Sequence, residues 1–350
     1  MQLALEISST LTRTHHGVKR YTLNLLDALT TLPGADLQIK PLLRLTRFHK
    51  RKFTPAMPWP ARWYISGPWP AVPGCDVFHG LDMRVPYTPN RMFRICTLHD
   101  CAYLRLGDRN PSTVKRRHRM FQHTARVAHR IIADTEASKN DFLHYYEYPA
   151  ERIEVVHLGI APIFLDDSAA AREQWENKAS KAYFLAYAGD ARKNLPRVIS
   201  GFLGSRAARE FDLRIIGRPP ESDLDSLGKA AVDDRVHFLG HVDDERLAQQ
   251  YRGSRGLLFP SLLEGFGLPI LEAMACHAPV LTSQSGATAE VAGGHALLVD
   301  PESIAAITAG IDALCDLPDR ALLDAATYAR TCTWKRTAEK TLAVYRQSLE

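Results

Sequence analysis

Apolar positions along this chain follow two alternating rhythms. Residues 3–7 (LALEI) form a short strand-like run, residues 17–32 (GVKRYTLNLLDALTTL) carry apolar side chains at helical spacing, and residues 37–43 (LQIKPLL) return to strand. Short apolar runs recur at 76–79 (DVFH), 93–98 (FRICTL) and 130–133 (RIIA), each followed by polar or helical sequence, and ERIEVVHLGI closes the first half. The poorly hydrophobic stretch 166–180 reads as the crossing into a second domain. A second series then supplies strands YFLAYAG, FDLRIIG, RVHFLG, GLLFP, PVLTS and ALLVD with helices between them. Strands alternating with helices predict parallel sheets. Two such series predict an α/β chain of two Rossmann-like domains facing a central cleft, 1–165 and 166–332, with 333–350 as a final amphipathic helix.

The bulk properties narrow this picture without naming a chemistry. At 350 residues, 45% hydrophobic and 24% charged, the chain has the composition of an ordinary globular protein and the length of two domains. No run approaches the roughly 18 to 20 apolar residues that a membrane span requires, and MQLALEISST lacks the basic start and apolar core of a signal peptide, so a cytoplasmic location is expected. Cys75, Cys96, Cys101, Cys276, Cys315 and Cys332 form no C-x-x-C pair and no zinc-finger spacing, which favours free thiols over disulfides or metal ligands.

The net charge of +5 hides an asymmetry. Residues 1–160 hold 23 Lys and Arg against 13 Asp and Glu, a balance of +10 that leaves −5 for the remainder. A basic first half implies an anionic partner. No helix-turn-helix, zinc finger or RNA-binding signature accompanies it, so nucleic acid is not expected. Residues 44–69 mix Arg44, Arg47, Lys50, Arg51, Lys52 and Arg62 with Phe48, Phe53, Trp59, Trp63 and Trp69. This mixture fits either a surface loop and helix whose aromatics pack on the domain or a peripheral contact with an anionic membrane.

The most specific signal is residues 262–283, LLEGFGLPILEAMACHAPVLTS. Glu264 and Glu272 stand eight residues apart around a glycine turn that opens a helix, with Pro269 in the first helical turn, where its missing N–H does no harm. Gly265 and Gly267 let backbone approach a ligand, and the amides of Phe266, Gly267 and Leu268 lie at the positive end of the helix dipole. The expected ligand is hydroxylated and anionic. Glu264 has an alternative role as a cap on that helix. Arg192, Lys193 and Asn194 follow the strand ending at Gly189, on the carboxyl edge where open α/β sheets bind ligands. His99 and Asp100 end another strand in TLHDCAYL; a lone histidine is more often a satisfied core residue, but its place at a strand's carboxyl end beside an aspartate favours function.

With its EGFGLP turn and EAMA helix, Glu264-x7-Glu272 resembles the signature of family four of the retaining glycosyltransferases, and flanking segments from about residue 17 to about 345 match as well. The resemblance implies a GT-B fold, a nucleotide-sugar donor and a final helix that packs back toward the first domain. It assigns Arg192, Lys193 and Asn194 to the family's Arg-Lys-Asn turn on the donor diphosphate, where cations offset leaving-group charge and no metal or other cofactor is needed. Glu272 would hold the ribose hydroxyls. Glu264, Gly265, Phe266, Gly267 and Leu268 would hold the transferred sugar, and His99 would touch that sugar or position the acceptor. Gly17, in HHGVKRYTLNLL, resembles the glycine turn facing the donor phosphates, but His15 and His16 precede it where a second glycine is usual. Ser138, Lys139 and Gly159 in one flanking block, and Glu290 and Val291 in another, support the alignment and imply packing roles.

Three departures qualify the match. Only Asp190 and Ala191 separate Gly189 from Arg192, about two residues fewer than the pattern, and Asp190 is acidic, which shifts the phosphate grip toward Lys193. His277 occupies a helix end where glycine is usual and positive φ is often required. The expected activity is transfer of a hexosyl group, mannose or a relative, from a GDP-linked or other nucleotide-sugar to a glycan or lipid-linked acceptor, with anomeric retention. The alternative is a nucleotide-sugar-binding subunit without activity of its own. A dinucleotide dehydrogenase is disfavoured, because no G-x-G-x-x-G follows the first strand.

Overall fold

The computed structural model of the chain describes residues 1–12, 17–54, 61–64, 74–86, 92–105, 111–166, 168, 183–219 and 233–347. His15, His16, Trp59 and Trp69 lie outside these residues, as does most of the expected crossing at 166–180. The chain divides into two compact units, Met1–Gly159 with Thr333–Glu350, and Ile160–Cys332.

The first unit is built on seven strands: β1 (Gln2–Glu6), β2 (Gln38–Arg44), β3 (Arg62–Tyr64), β4 (Val77–Gly80), β5 (Phe93–Leu98), β6 (Arg130–Ala133) and β7 (Ile153–Val155). They lie in the order β3-β2-β1-β4-β5-β6-β7, and each neighbouring pair is parallel. Parallel strands joined by helical crossovers are covered on both faces, and β4 is buried along its whole length. Its helices are α1 (Gly17–Thr31), α2 (Ala102–Arg105), α3 (Pro111–Val127) and α4 (Glu136–Tyr145). On α1 the buried stripe Tyr21, Leu25, Leu26 and Leu29 has the helical spacing read from the sequence.

The basic aromatic segment departs from the loop-and-helix reading. Arg62–Tyr64 is an edge strand paired with Leu42–Arg44, too short for its period to show in sequence. Leu45–Phe53 forms 3₁₀ turns with no buried residue, carrying Phe48 against Trp63 with ring centroids 5.0 Å apart. Arg44 is buried and pairs with Glu6 at 3.3 Å, so it does not belong to the exposed basic face.

The second unit holds β8 (Tyr183–Tyr187), β9 (Asp212–Ile216), β10 (Val236–Gly240), β11 (Gly256–Phe259), β12 (Val280–Ser283) and β13 (Leu297–Val299), in the order β10-β9-β8-β11-β12-β13. All five pairings are parallel. Its helices are α5 (Leu195–Leu203), α6 (Asp244–Arg252), α7 (Leu268–Ala275), α8 (Gly286–Ala292), α9 (Ile304–Cys315) and α10 (Asp319–Thr331). Phe184, Ile199, Phe202, Leu213, Ile215 and Ile307 form the heart of its core. Strand order reverses between β8 and β11, which creates a crevice at their carboxyl ends.

The last helix, α11 (Trp334–Arg346), belongs to the first unit. Tyr345 hydrogen-bonds His79 at 2.6 Å, the Thr337 hydroxyl donates to the His157 carbonyl at 2.9 Å, and the Trp334 ring lies 6.0 Å from that of Tyr21. Gly159 makes this junction possible. A Cβ there would meet Trp334 N at 2.1 Å.

Candidate functional site

In the second unit the crevice is formed by the turns after β8 and β11. Asp190 starts the first turn: its carboxylate accepts from the Arg192 amide at 3.1 Å and takes the Arg192 guanidinium at 2.8–3.0 Å. Burial works against the charged carboxylate, but Arg192 outweighs it and holds Asp190 below the usual range. The acidic departure seen in the sequence is thus paired with its own arginine, and Lys193 points elsewhere. Asn194 adopts φ +57°, and its side-chain amide donates to the carbonyls of Pro260 at 3.0 Å and Pro301 at 2.6 Å. It is buried and ties the turn to the β11 and β13 loops. The Leu262 amide donates to the Arg192 carbonyl at 2.8 Å and joins the two turns directly.

Across this junction Lys193 Nζ lies 2.7 Å from Glu264 Oε1 and 4.6 Å from the centroid of the Phe259 ring. The carboxylate that could have capped α7 is turned onto the lysine. The helix opens at Gly267 with φ +100° and ψ 47°, a conformation that suits glycine, and Pro269 occupies the first turn as its sequence position implies. Gly265, Phe266, Gly267 and Leu268 therefore form a tight turn, with Phe266 buried, at the positive end of α7. Glu272 lies on α7 itself, 1% exposed, with the Tyr251 hydroxyl donating to Oε2 at 3.4 Å. Tyr251 in turn meets the Tyr187 hydroxyl at 2.6 Å. His277, past the end of α7, has φ +59°, the backbone expected of a residue standing where glycine is usual.

Two of the residues singled out in sequence, Gly17 and His99, belong to the first unit. Gly17 is the exposed first residue of α1, and a Cβ there would meet nothing within 4 Å, so packing in the described protein does not explain the glycine. His99 and Asp134 each follow directly on strands β5 and β6, where Leu98 is paired with Ala133. This register sets His99 Nδ1 2.7 Å from Asp134 Oδ2, while Nε2 lies 3.1 Å from the Leu81 carbonyl. Burial opposes a charged imidazole, but the Asp134 carboxylate overrides it and raises the His99 pKa to about 9. Asp100 accepts from the Ala102 amide at 3.0 Å at the start of α2. Asp134 was not singled out in the sequence; its one signal there is an aspartate directly after the apolar run RIIA.

Behind this edge lies a buried polar chain. Tyr345 bonds His79, His79 Nε2 meets the Thr97 hydroxyl at 2.9 Å, and Thr97 meets the Tyr21 hydroxyl at 2.9 Å. Tyr21 places its ring 4.9 Å from that of His99, edge to face. Among the described residues, no group of three or more His, Cys, Asp or Glu is arranged to hold a metal ion.

Residues 183–316 match the family described as Glycosyl transferases group 1. The chain is 28% identical over 286 residues to O-antigen chain mannosyltransferase B of Escherichia coli, covering 77% of this chain and 74% of that protein. It is also 28% identical over 243 residues to an MMP alpha-(1->4)-mannosyltransferase of Mycolicibacterium hassiacum, covering 66% of this chain and 57% of that one. Among solved structures, sucrose-phosphate synthase from Thermosynechococcus elongatus superposes with a TM-score of 0.76 at 19% identity, over 99% of both chains. Anabaena HepE in complex with UDP-glucose gives 0.73 at 16% identity, over 99% of this chain and 100% of that one. The two parallel-sheet units have the GT-B fold that the sequence implied.

Proposed function

Starting from a chain whose residues 183–316 are a glycosyl transferases group 1 domain, we propose that this protein is a retaining hexosyltransferase. It moves mannose or a related hexose from a GDP-linked sugar to a hydroxyl of a growing surface glycan or lipid-linked acceptor. The observation that carries the reading is the Lys193–Glu264 pair at the mouth of α7, where the strand order reverses and donors bind in open α/β sheets. The names of the two mannosyltransferase relatives support the sugar, and that of the O-antigen enzyme supports the acceptor class.

In this scheme the Lys193 ammonium, with Arg192 beside it, neutralises charge that grows on the leaving diphosphate as the bond to the anomeric carbon breaks. Glu272 accepts hydrogen bonds from the ribose diol, and Glu264 with the amides of 266–268 holds the hydroxyls of the transferred sugar. The acceptor oxygen bonds to the anomeric carbon on the face the diphosphate leaves, and the departing phosphate oxygen takes its proton. Configuration is thereby retained without a covalent enzyme intermediate. Arg47, Lys50, Arg51, Lys52 and Phe48 offer a basic, aromatic face for peripheral contact with the inner surface of the cytoplasmic membrane.

The test is product stereochemistry. Incubation with GDP-mannose and a mannose-terminated or lipid-linked acceptor should give an α-linked product by proton NMR. A β-linked product, or no transfer from any GDP- or UDP-hexose, contradicts the reading.

A further inference from the structure

We propose that Asp134 is a positioning residue that fixes His99 as an imidazolium, so that His99 presents a positive charge and does not accept the acceptor's proton. This deepens the transferase reading and rests on it. The geometry begins with strand register: Leu98 opposite Ala133 puts the next residue of each strand side by side. His99 then faces two acceptors, the Asp134 carboxylate at Nδ1 and the Leu81 carbonyl at Nε2. A neutral imidazole has one N–H and one lone pair, and would set that lone pair against an oxygen. Two N–H groups satisfy both contacts, and only the protonated ring has two.

The surroundings reinforce the assignment. Asp134 is buried beneath the histidine, with a side chain 3% exposed against 18% for His99, so the pair turns its positive end outward. Asp134 stands next to Thr135, the N-cap of α4, whose N-terminus favours negative charge. Asp100 adds attraction from the histidine's own strand end; burial holds the Asp134 carboxyl above its ordinary value, and His99 and His157 draw it back down. On the opposite side His79, driven down to about 3 by burial and by the charge of His99, stays neutral between two hydroxyls. The Tyr21 ring from α1 packs edge to face with the imidazole, and the Ser138 hydroxyl from α4 donates to the His99 carbonyl at 3.0 Å. Each element packed on His99 restricts its orientation, and Asp134 supplies the charge that keeps it protonated.

Histidine NMR on the full-length protein, labelled with ¹³C and ¹⁵N and assigned with His99→Gln, tests this directly. The wild-type His99 resonances should show both nitrogens protonated from pH 6 to 8, and Asp134→Asn should bring the titration below pH 7. A wild-type His99 that titrates at or below 6.5, or an Asp134→Asn ring that stays protonated to pH 8, overturns the proposal. If Asp134→Asn does not fold, the wild-type titration and Asp134→Ser decide it.

Acceptor-dependent nucleotide release gives a second readout with opposite signs for the two roles. With a fixed imidazolium, wild-type kcat is flat from pH 6 to 8, and Asp134→Asn loses kcat about tenfold per pH unit above its lowered pKa, with donor KM little changed. A wild-type kcat that climbs through pH 6.5 and loses that climb in His99→Gln marks a general base and overturns the proposal. Protonated His99 in a protein that transfers no sugar would refute the transferase reading while supporting the charge assignment.

Discussion

Lys193 Nζ and Glu264 Oε1 meet at 2.7 Å although 71 residues separate them in the chain. The lysine comes from the turn after β8 and the glutamate from the turn before α7, and their side chains are only 23% and 13% exposed. A pair so sheltered is a prearranged cation and carboxylate at a helix N-terminus, and the proposed function gives it the diphosphate and the hydroxylated sugar to hold.

Lys193→Ala and Glu264→Gln should each lower kcat by about 10² to 10³, the scale seen when one preorganised charge-stabilising group is removed. The double variant should lose less than the product of the two effects, because each residue orients the other. Initial rates for the four proteins in a double-mutant cycle check this; strict multiplicativity would mean that the two act independently.

Glu272→Gln should act on donor binding rather than on chemistry. It lies on α7, and its assigned partner is the ribose. Donor KM should rise about tenfold, corresponding to ~1.4 kcal/mol, with kcat altered much less. Calorimetry with GDP and UDP alone should show the same loss, and unchanged nucleotide affinity would remove Glu272 from the site.

Two histidines, His79 buried and His99 partly exposed, act on the pH range of stability with opposite signs. His79 has a folded pKa lowered to about 3, so its contribution is present above the ordinary histidine value of about 6.5 and is lost as pH falls below it. His99 has a folded pKa raised to about 9, so its contribution is complete below 6.5 and is lost as pH rises toward 9. The melting temperature should therefore peak near pH 6.5, and His79→Gln should flatten the acid side. An acid limb unchanged in His79→Gln would assign that limb to other groups.

Gly159→Ala should be severely destabilising, since its Cβ would press on the Trp334 backbone at 2.1 Å, and neither side of the contact is a flexible side chain. A loss of about 3 kcal/mol or more in urea unfolding is expected, at or beyond the upper end of overpacking costs. At His277 the strain lies in the backbone: His277→Val should cost about 1–2 kcal/mol, and His277→Gly should be neutral or mildly stabilising. Equal effects of valine and glycine would argue against strain at φ +59°.

Much of this was legible because parallel strands buried on both faces leave continuous apolar runs. β5 and β6 occupy the residues of FRICTL and RIIA, and the first helix follows its apolar stripe. The glycine turn, Glu264 before α7 and Glu272 on it were equally visible, since backbone geometry and helix start are local properties. What the sequence did not show depends on contacts between distant residues. The His99–Asp134 bond follows from strand register, the Asn194 anchor from two carbonyls far along the chain, and β3 from pairing three residues with β2. Arg192 is an intermediate case: Asp190 two residues earlier was noticed as an acidic departure, but its closure onto the guanidinium required the turn itself.

The most direct test of the donor site is nucleotide release by the purified protein across GDP- and UDP-sugars, with and without sugar and lipid-linked acceptors, beside Lys193→Ala and Glu264→Ala. The expected result is acceptor-dependent release from one donor, strongest with GDP-mannose, and its loss in both variants. Release that persists in both variants, or donor binding without turnover across all acceptors, would contradict a transferase working through Lys193 and Glu264.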